Sequence, residues 1–212
     1  MLNLAIVGGL TLAAWPLAQT LYARYNQSQL EKEWQSQNAR PVAKKPAAKV
    51  AAKPALKPVV KTVAADDPTM GQATAKKSKQ KWPLTKMSIP DIDLQTYAVQ
   101  GWDEDSLKRG PGHDPNSALP GQGNCVLAGH RNIYGSYFYK ADQILPGAPI
   151  VLQNRDGKFT YTTGRVFTTT DTDYSIMAQP APGQAPILTL ITCTMPHTSN
   201  RIVVQAVLSS VE

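Results

Sequence analysis

From Trp82 onward the chain alternates short apolar runs with turn-forming residues: Met87 to Leu94, Thr96 to Gln100, Asn124 to His130, Ala148 to Gln153, Phe159 to Thr169, Ile187 to Cys193 and Arg201 to Leu208. These runs are rich in Val, Ile, Thr and aromatic residues, a composition that packs well on a pleated surface and predicts strands. Asp156-Gly157 lies between two of them and predicts a tight hairpin. Helical patterning is confined to Asp103–Lys108 and Tyr137–Leu145. Seven or eight short strands with little helix predict an all-β domain that closes into a barrel over residues 82–212.

The pattern before Trp82 is different. Leu2 to Ala23 carries no charged side chain, and a helix rising about 1.5 Å per residue over that length would cross a hydrocarbon core of roughly 30 Å. Residues 1–24 are therefore expected to form a transmembrane signal-anchor helix, kinked at Pro16, with Trp15, Tyr22 and Tyr25 suited to the interface. A cleaved signal peptide would normally begin with basic residues, and none precede this stretch. Residues 25–38 read as a short polar juxtamembrane helix. Residues 39–81 form a Lys/Ala/Pro-rich tract, where proline removes helix donors and like charges repel, so an extended, disordered linker is expected.

Charge sharpens this division. Eleven of the 22 basic residues fall between Arg40 and Lys81 against two acidic ones, giving that tract +9, whereas Trp82 to Glu212 holds 9 basic and 11 acidic residues, a net −2. The basic character belongs to the linker, and the folded domain offers no basic face for nucleic acid. The same lysines, following the apolar helix, would by the positive-inside rule leave the domain in the cytoplasm.

Two cysteines are too few for a disulfide scaffold, and a cysteine with a histidine elsewhere is a candidate nucleophile pair. A Cys125–Cys193 disulfide is the competing possibility. One strand delivers His130 to its end, after Gly129. Another ends at Cys193, and after the loop Thr194 to Asn200 a third begins at Arg201, so an antiparallel return would bring thiol and guanidinium together. Taken singly, each patch also fits ordinary buried strand residues. Cys125 lies an odd five residues before His130, so an alternating strand places it on the opposite face, as a core thiol. His113, in a Gly/Pro-rich loop, suits a structural or gating role. The acidic pairs Asp91/Asp93 and Asp171/Asp173 fit solvated turns, and no metal site is expected.

The segment Leu119-Pro120-Gly121-Gln122-Gly123-Asn124, then Leu127-Ala128-Gly129-His130-Arg131, Thr189-Leu190-Ile191-Thr192-Cys193 and Arg201, resembles the sortase family. The likeness extends upstream to Ser88–Leu94 and Gly110-Pro111-Gly112-His113. Tyr134-Gly135-Ser136-Tyr137-Phe138 is similar to a Tyr-Gly-X-Pro-Phe stretch of class E sortases, with Tyr137 in place of proline, and Thr194-Met195-Pro196 departs from the commoner Thr-Pro. The resemblance implies an eight-stranded barrel and a cysteine transpeptidase needing no cofactor. Cys193 would be the nucleophile, His130 the acid and base, and Arg201 the oxyanion or substrate-backbone partner. Substrate contacts are implied for Ala128, Arg131, Tyr134, Thr192 and His197, with a specificity loop between Phe167 and Pro186. Implied partners are secreted proteins carrying a C-terminal Leu-Pro/Ala-X-Thr-Gly-like sorting motif, an amine of the cell envelope, and a membrane through the N-terminal helix. The domain would then be extracytoplasmic, against the charge rule. A pilin-polymerising sortase and a non-catalytic peptide-binding module are the alternatives. L,D-transpeptidases place arginine two residues after the cysteine rather than eight, and papain-like proteases place the histidine after the nucleophile.

Overall fold

The computed structural model describes residues 2–38 and 81–212, except for His197 and the side chains of residues 2–13. The expected linker therefore lies outside the described residues but for Lys81. Eight strands close into a barrel: β1 (Thr85–Ile89), β2 (Leu94–Gln100), β3 (Gly112–His113), β4 (Asn124–Ala128), β5 (Pro149–Asn154), β6 (Gly157–Thr170), β7 (Ile187–Cys193) and β8 (Asn200–Val211). Around the barrel the order is β1-β2-β3-β4-β7-β8-β6-β5. The β2/β3 and β4/β7 pairs are parallel and the others antiparallel.

Alternation along the strands decides which residues fill the barrel. Cys125 and Leu127 of β4 sit beside Leu188 and Leu190 of β7, which in turn oppose Ala206 and Val204 of β8. All six are buried in one core with Met87, Ile89, Ile150, Leu152 and Tyr161. Each fully buried large aliphatic side chain contributes roughly 1.5–3 kcal/mol by leaving water. The intervening residues of the same strands, including Ala128, Ile191, Cys193 and Arg201, consequently belong to the outer face.

The turns differ in detail from expectation. Asn154 pairs with Gly157, so the hairpin turn is Arg155-Asp156, one residue before the expected Asp156-Gly157, with Asn154 Oδ1 accepting the Asp156 N–H at 2.8 Å. A short helix, Glu104–Arg109, starts at Asp103, whose carboxylate accepts the Ser106 N–H at 3.1 Å. The helix expected over Tyr137–Leu145 is reduced to one 3-10 turn, Ala141–Gln143. Phe138 is drawn fully into the core, and its N–H goes to the His130 carbonyl at 3.2 Å, which holds the start of that segment away from helical pairing.

At the N-terminus, residues Leu2–Asn38 form one continuous helix, α1, that runs through both expected segments, 1–24 and 25–38, without a break. From Leu17 to Asn38 no glycine or proline interrupts a run of helix-favouring residues, so nothing ends the helix at Arg24. Among the described residues, no helix is long and apolar enough to cross a membrane, and the first thirteen side chains of the expected span lie outside that set. The polar half of α1 instead packs on the barrel. Leu30 is buried with Leu84, Tyr97 and Val99, and the Trp34 indole donates to the Gln153 carbonyl at 3.3 Å.

Candidate active site

The short helix Glu104–Arg109 is α2, the second helix of the chain after α1. Cys193 ends β7 and stands opposite Arg201 in the antiparallel ladder to β8. Residues directly opposite each other share a face with their Cβ atoms about 5 Å apart, so thiol and guanidinium stems leave the sheet side by side. Both cysteines are free, Cys125 buried and Cys193 half-buried. Cys125 pairs with Leu188, five residues along β7 from Cys193. That offset is on the order of 16 Å at a strand's rise, too far for a disulfide, and burial pushes the Cys125 thiol well up from its ordinary value.

His130 follows β4, the parallel neighbour of β7. The ladder ends at Ala128 beside Ile191, and the Gly129 N–H adds one more bond to the Ile191 carbonyl at 3.1 Å. Gly129 has no room for a side chain, because a Cβ there would lie 2.7 Å from the Phe138 ring. His130 is thus released onto the Cys193 end of the neighbouring strand. Partial burial holds its imidazole below the ordinary value, opposed by Glu104 and reinforced by Lys108. Its Nε2 is buried with no hydrogen-bond partner among the described residues, so a neutral ring is available for proton transfer.

Arg201 is held from two sides. Nη1 donates to the carbonyls of Thr198 at 3.0 Å and Asn200 at 2.9 Å, and Nη2 donates to Asp171 at 3.3 Å. In the sequence Asp171 reads as half of a solvated acidic pair, thirty residues from Arg201. Only the β6/β8 pairing, which sets Thr169 beside Arg201, brings it there. Asp173 accepts from the hydroxyls of Thr169 and Ser175.

The residues expected to touch substrate divide. Ala128 is half-buried at the mouth of β4, and the Tyr134 ring lies 5.6 Å from that of His130, with the Lys108 ammonium 6.0 Å above it. Tyr134 holds a φ of 47°, in the left-handed region. Thr192 and Arg131 are buried and turned inward. Thr192 Oγ1 donates to the Gly129 carbonyl at 2.8 Å, and Arg131 donates to Asp142 at 2.8 Å and to the Cys193 carbonyl at 3.5 Å. These contacts place both in the scaffold that joins the two strand ends. His197 lies outside the described residues. His113 is buried against Trp82, with ring centroids 4.1 Å apart, and its Nε2 pairs with the Ala118 carbonyl at 3.0 Å.

The loop between β6 and β7 begins after Thr170, so Phe167–Thr170 belong to β6 and only the remainder is free to shape a groove. Asn124 pins it to the barrel: its Nδ2 donates to the carbonyls of Ile176 and Ala178, both at 3.0 Å, and its N–H donates to Gln179 at 2.8 Å. A cavity of about 520 Å³ between α1 and the barrel is lined by residues such as Arg24, Glu31, Lys86 and Tyr137. None of Cys193, His130 and Arg201 lines it.

Comparison with known proteins agrees with this fold. The family model described as a sortase domain matches residues 87–209. The chain is 35% identical over 127 residues to sortase SrtE1 of Streptomyces coelicolor, covering 53% of this chain and 36% of that one. It is 29% identical over 126 residues to sortase A of Streptococcus agalactiae, covering 57% and 50%. The matches thus span between about a third and a half of those relatives. Among solved structures, sortase E from Streptomyces avermitilis matches with a TM-score of 0.55 and 33% identity, over 62% of this chain and 90% of that one. A Clostridium perfringens sortase D5 transpeptidase matches with a TM-score of 0.55 and 29% identity, over 60% and 79%. With a barrel of the same fold and a family match over more than half its length, the chain belongs to the sortase family.

Proposed function

We propose that this protein is a cysteine transpeptidase that cuts a C-terminal sorting motif of the Leu-Pro/Ala-X-Thr-Gly type between Thr and Gly and joins the Thr to an amine. The observation that carries the reading is the pairing of Cys193 with Arg201 across β7 and β8, beside the strand end that releases His130. An ordinary thiol is only a few per cent thiolate at neutral pH, so it needs a base. The neutral His130 ring takes the Cys193 proton as sulfur attacks the Thr carbonyl carbon. Arg201 supplies fixed positive charge where the oxyanion develops, since a guanidinium cannot itself act as a base. Collapse of the tetrahedral intermediate breaks the Thr–Gly bond, and His130 returns its proton to the departing Gly amine. The acyl group is left as a thioester on Cys193. An incoming amine then attacks that thioester, His130 accepts the amine proton, and the new amide leaves as the thiol is restored.

Pro or Ala at the second position of the motif, and an envelope amine as acceptor, are what the sortase resemblance implies. The uncharged stretch Leu2–Ala23 supports attachment to a membrane with the barrel on the extracytoplasmic side, which protease accessibility on intact cells would test. For the chemistry, the full chain is incubated with Leu-Pro-Asn-Thr-Gly and Leu-Ala-Asn-Thr-Gly peptides and hydroxylamine. The expected product is the hydroxamate of the fragment ending in Thr, absent with Cys193→Ala. Equal product from Cys193→Ala, or none from the native chain, would sink the proposal.

A further inference from the structure

The parallel β4/β7 ladder stops just short of the chemistry. Backbone pairing runs from Asn124 beside Ile187 to Ala128 beside Ile191, and the Gly129 N–H supplies the last main-chain bond to β7. Beyond that point the chain must swing out to release His130, and two side chains bridge the gap that opens. Thr192 reaches back to the Gly129 carbonyl, and one residue further on Arg131 reaches the Cys193 carbonyl. Arg131 is the residue immediately after His130, so a single side chain ties the proton-transfer group's own segment to the peptide of the nucleophile.

The charge arrangement shows what holds that side chain. The Arg131 side chain is only 10% exposed, and its Nη2 meets Asp142 at 2.8 Å; Asp142 itself is 47% exposed. A buried guanidinium is tolerated only when paired, and removing one partner leaves the other uncompensated. Its contact to the Cys193 carbonyl, at 3.5 Å, is longer than an ordinary N–H···O bond, so its strength rests on the cation's charge, which Asp142 keeps aimed there. A side chain engaged inward at both ends of its fork is poorly placed to receive a peptide from the groove.

We propose that Arg131 is a positioning residue for Cys193, steered by Asp142, and not a substrate contact. Asp142 fixes the guanidinium, the guanidinium fixes the Cys193 peptide, and the pair sets where sulfur stands relative to His130. The inference rests on the acyl-transfer role assigned to these residues above. Misplacement of reacting groups by about 1 Å can cost on the order of a hundredfold in rate without weakening binding.

The test compares Arg131→Met, Arg131→Lys and Asp142→Asn in the full chain, using the same peptides and hydroxylamine. Arg131→Met is expected to lower kcat by about a hundredfold with KM within about twofold of the native value. Arg131→Lys keeps the charge but loses the fork, and should fall between. Asp142→Asn should lower kcat less, again at unchanged KM. A raised KM with preserved kcat would make Arg131 a substrate contact and overturn the proposal, as would unchanged kinetics. Should Arg131→Met fail to fold, Asp142→Asn decides: a lower kcat at unchanged KM supports the inference and native kinetics overturn it. If the native chain cleaves neither peptide, the acyl-transfer reading fails separately. Positioning is then read from the rate at which iodoacetamide labels Cys193, located by peptide mapping. Slower labelling in Arg131→Met and Asp142→Asn supports it, and rates equal to the native chain's overturn it.

Discussion

Cys193, the last residue of β7, stands directly across the ladder from Arg201, the second residue of β8. A loop of six residues therefore returns the guanidinium to the side of the sheet that carries the thiol, and strand geometry alone fixes their separation. Cys193→Ala should give no hydroxamate. Arg201→Ala should lower kcat by roughly a hundredfold to a thousandfold, or about 3–4 kcal/mol, the usual cost of one lost oxyanion partner. Arg201→Lys should keep part of that, because an ammonium retains charge but cannot hold the Thr198 and Asn200 carbonyls with one nitrogen and Asp171 with another as the guanidinium fork does.

Asp171 meets Arg201 at 3.3 Å with both side chains partly exposed, so solvent screens the pair and its worth is modest. Asp171→Asn keeps the shape and an acceptor but removes the charge. The expected loss in kcat/KM is about threefold to tenfold, on the order of 1 kcal/mol, with an unchanged melting temperature. A variant as active as the native chain would show that the loop carbonyls alone hold Arg201.

The barrel, and the face on which Cys193 lies, were legible because period-two alternation is local: Leu188 and Leu190 had to share one face and Cys193 the other. The inward turn of Arg131 and Thr192 was not legible. Both sit in a segment whose resemblance suggests substrate contact, and their actual partners, Asp142 and Gly129, are set by how β4 and β7 align. The Asp171 contact escaped for the same reason, since it depends on the β6/β8 register. The docking of α1 escaped because an uncharged stretch preceding a polar one reads as membrane helix plus spacer, and no local pattern announces that Leu30 and Trp34 will meet β2 and β5.

His113 gives the fold a pH dependence whose sign can be worked out. Burial depresses its pKa below the ordinary value, against the weaker opposing effects of the Ala118 carbonyl and Asp114. In the window between the depressed folded value and the unfolded value near 6.5, the unfolded chain binds more protons, so stability rises with pH there. The contribution is complete above about pH 7 and lost as pH falls below about 6.5. His130 shifts the same way. Melting temperature should therefore be flat above about pH 7 and fall on acidification, with a shallower fall in His113→Asn. An identical slope in that variant would assign the effect elsewhere.

Gln27 offers the sharpest test of how α1 is attached. Its Oε1 accepts the Tyr97 N–H at 2.8 Å and the Thr96 hydroxyl at 3.0 Å, while its Nε2 donates to the Arg109 carbonyl at 2.8 Å and the Tyr97 carbonyl at 3.4 Å. One side chain thus behaves as an extra pairing residue for β2 and caps the end of α2, the helix whose Glu104 and Lys108 act on His130. Truncation to alanine leaves a strand N–H and a helix carbonyl without partners, and each unsatisfied group costs about 1–3 kcal/mol. Solvent reaching the partly exposed Arg109 carbonyl reduces the second cost, so Gln27→Ala should lose about 2–3 kcal/mol in chemical denaturation. Ser28→Ala is the control, because that hydroxyl bonds only within the helix, to Tyr25. A chain starting at Trp82 should be weaker still, since it uncovers Leu84, Tyr97 and Val99 by removing Leu30 and Trp34. If Gln27→Ala and Ser28→Ala unfold at the same denaturant concentration, the helix contributes nothing through Gln27, and its attachment rests on Leu30 and Trp34.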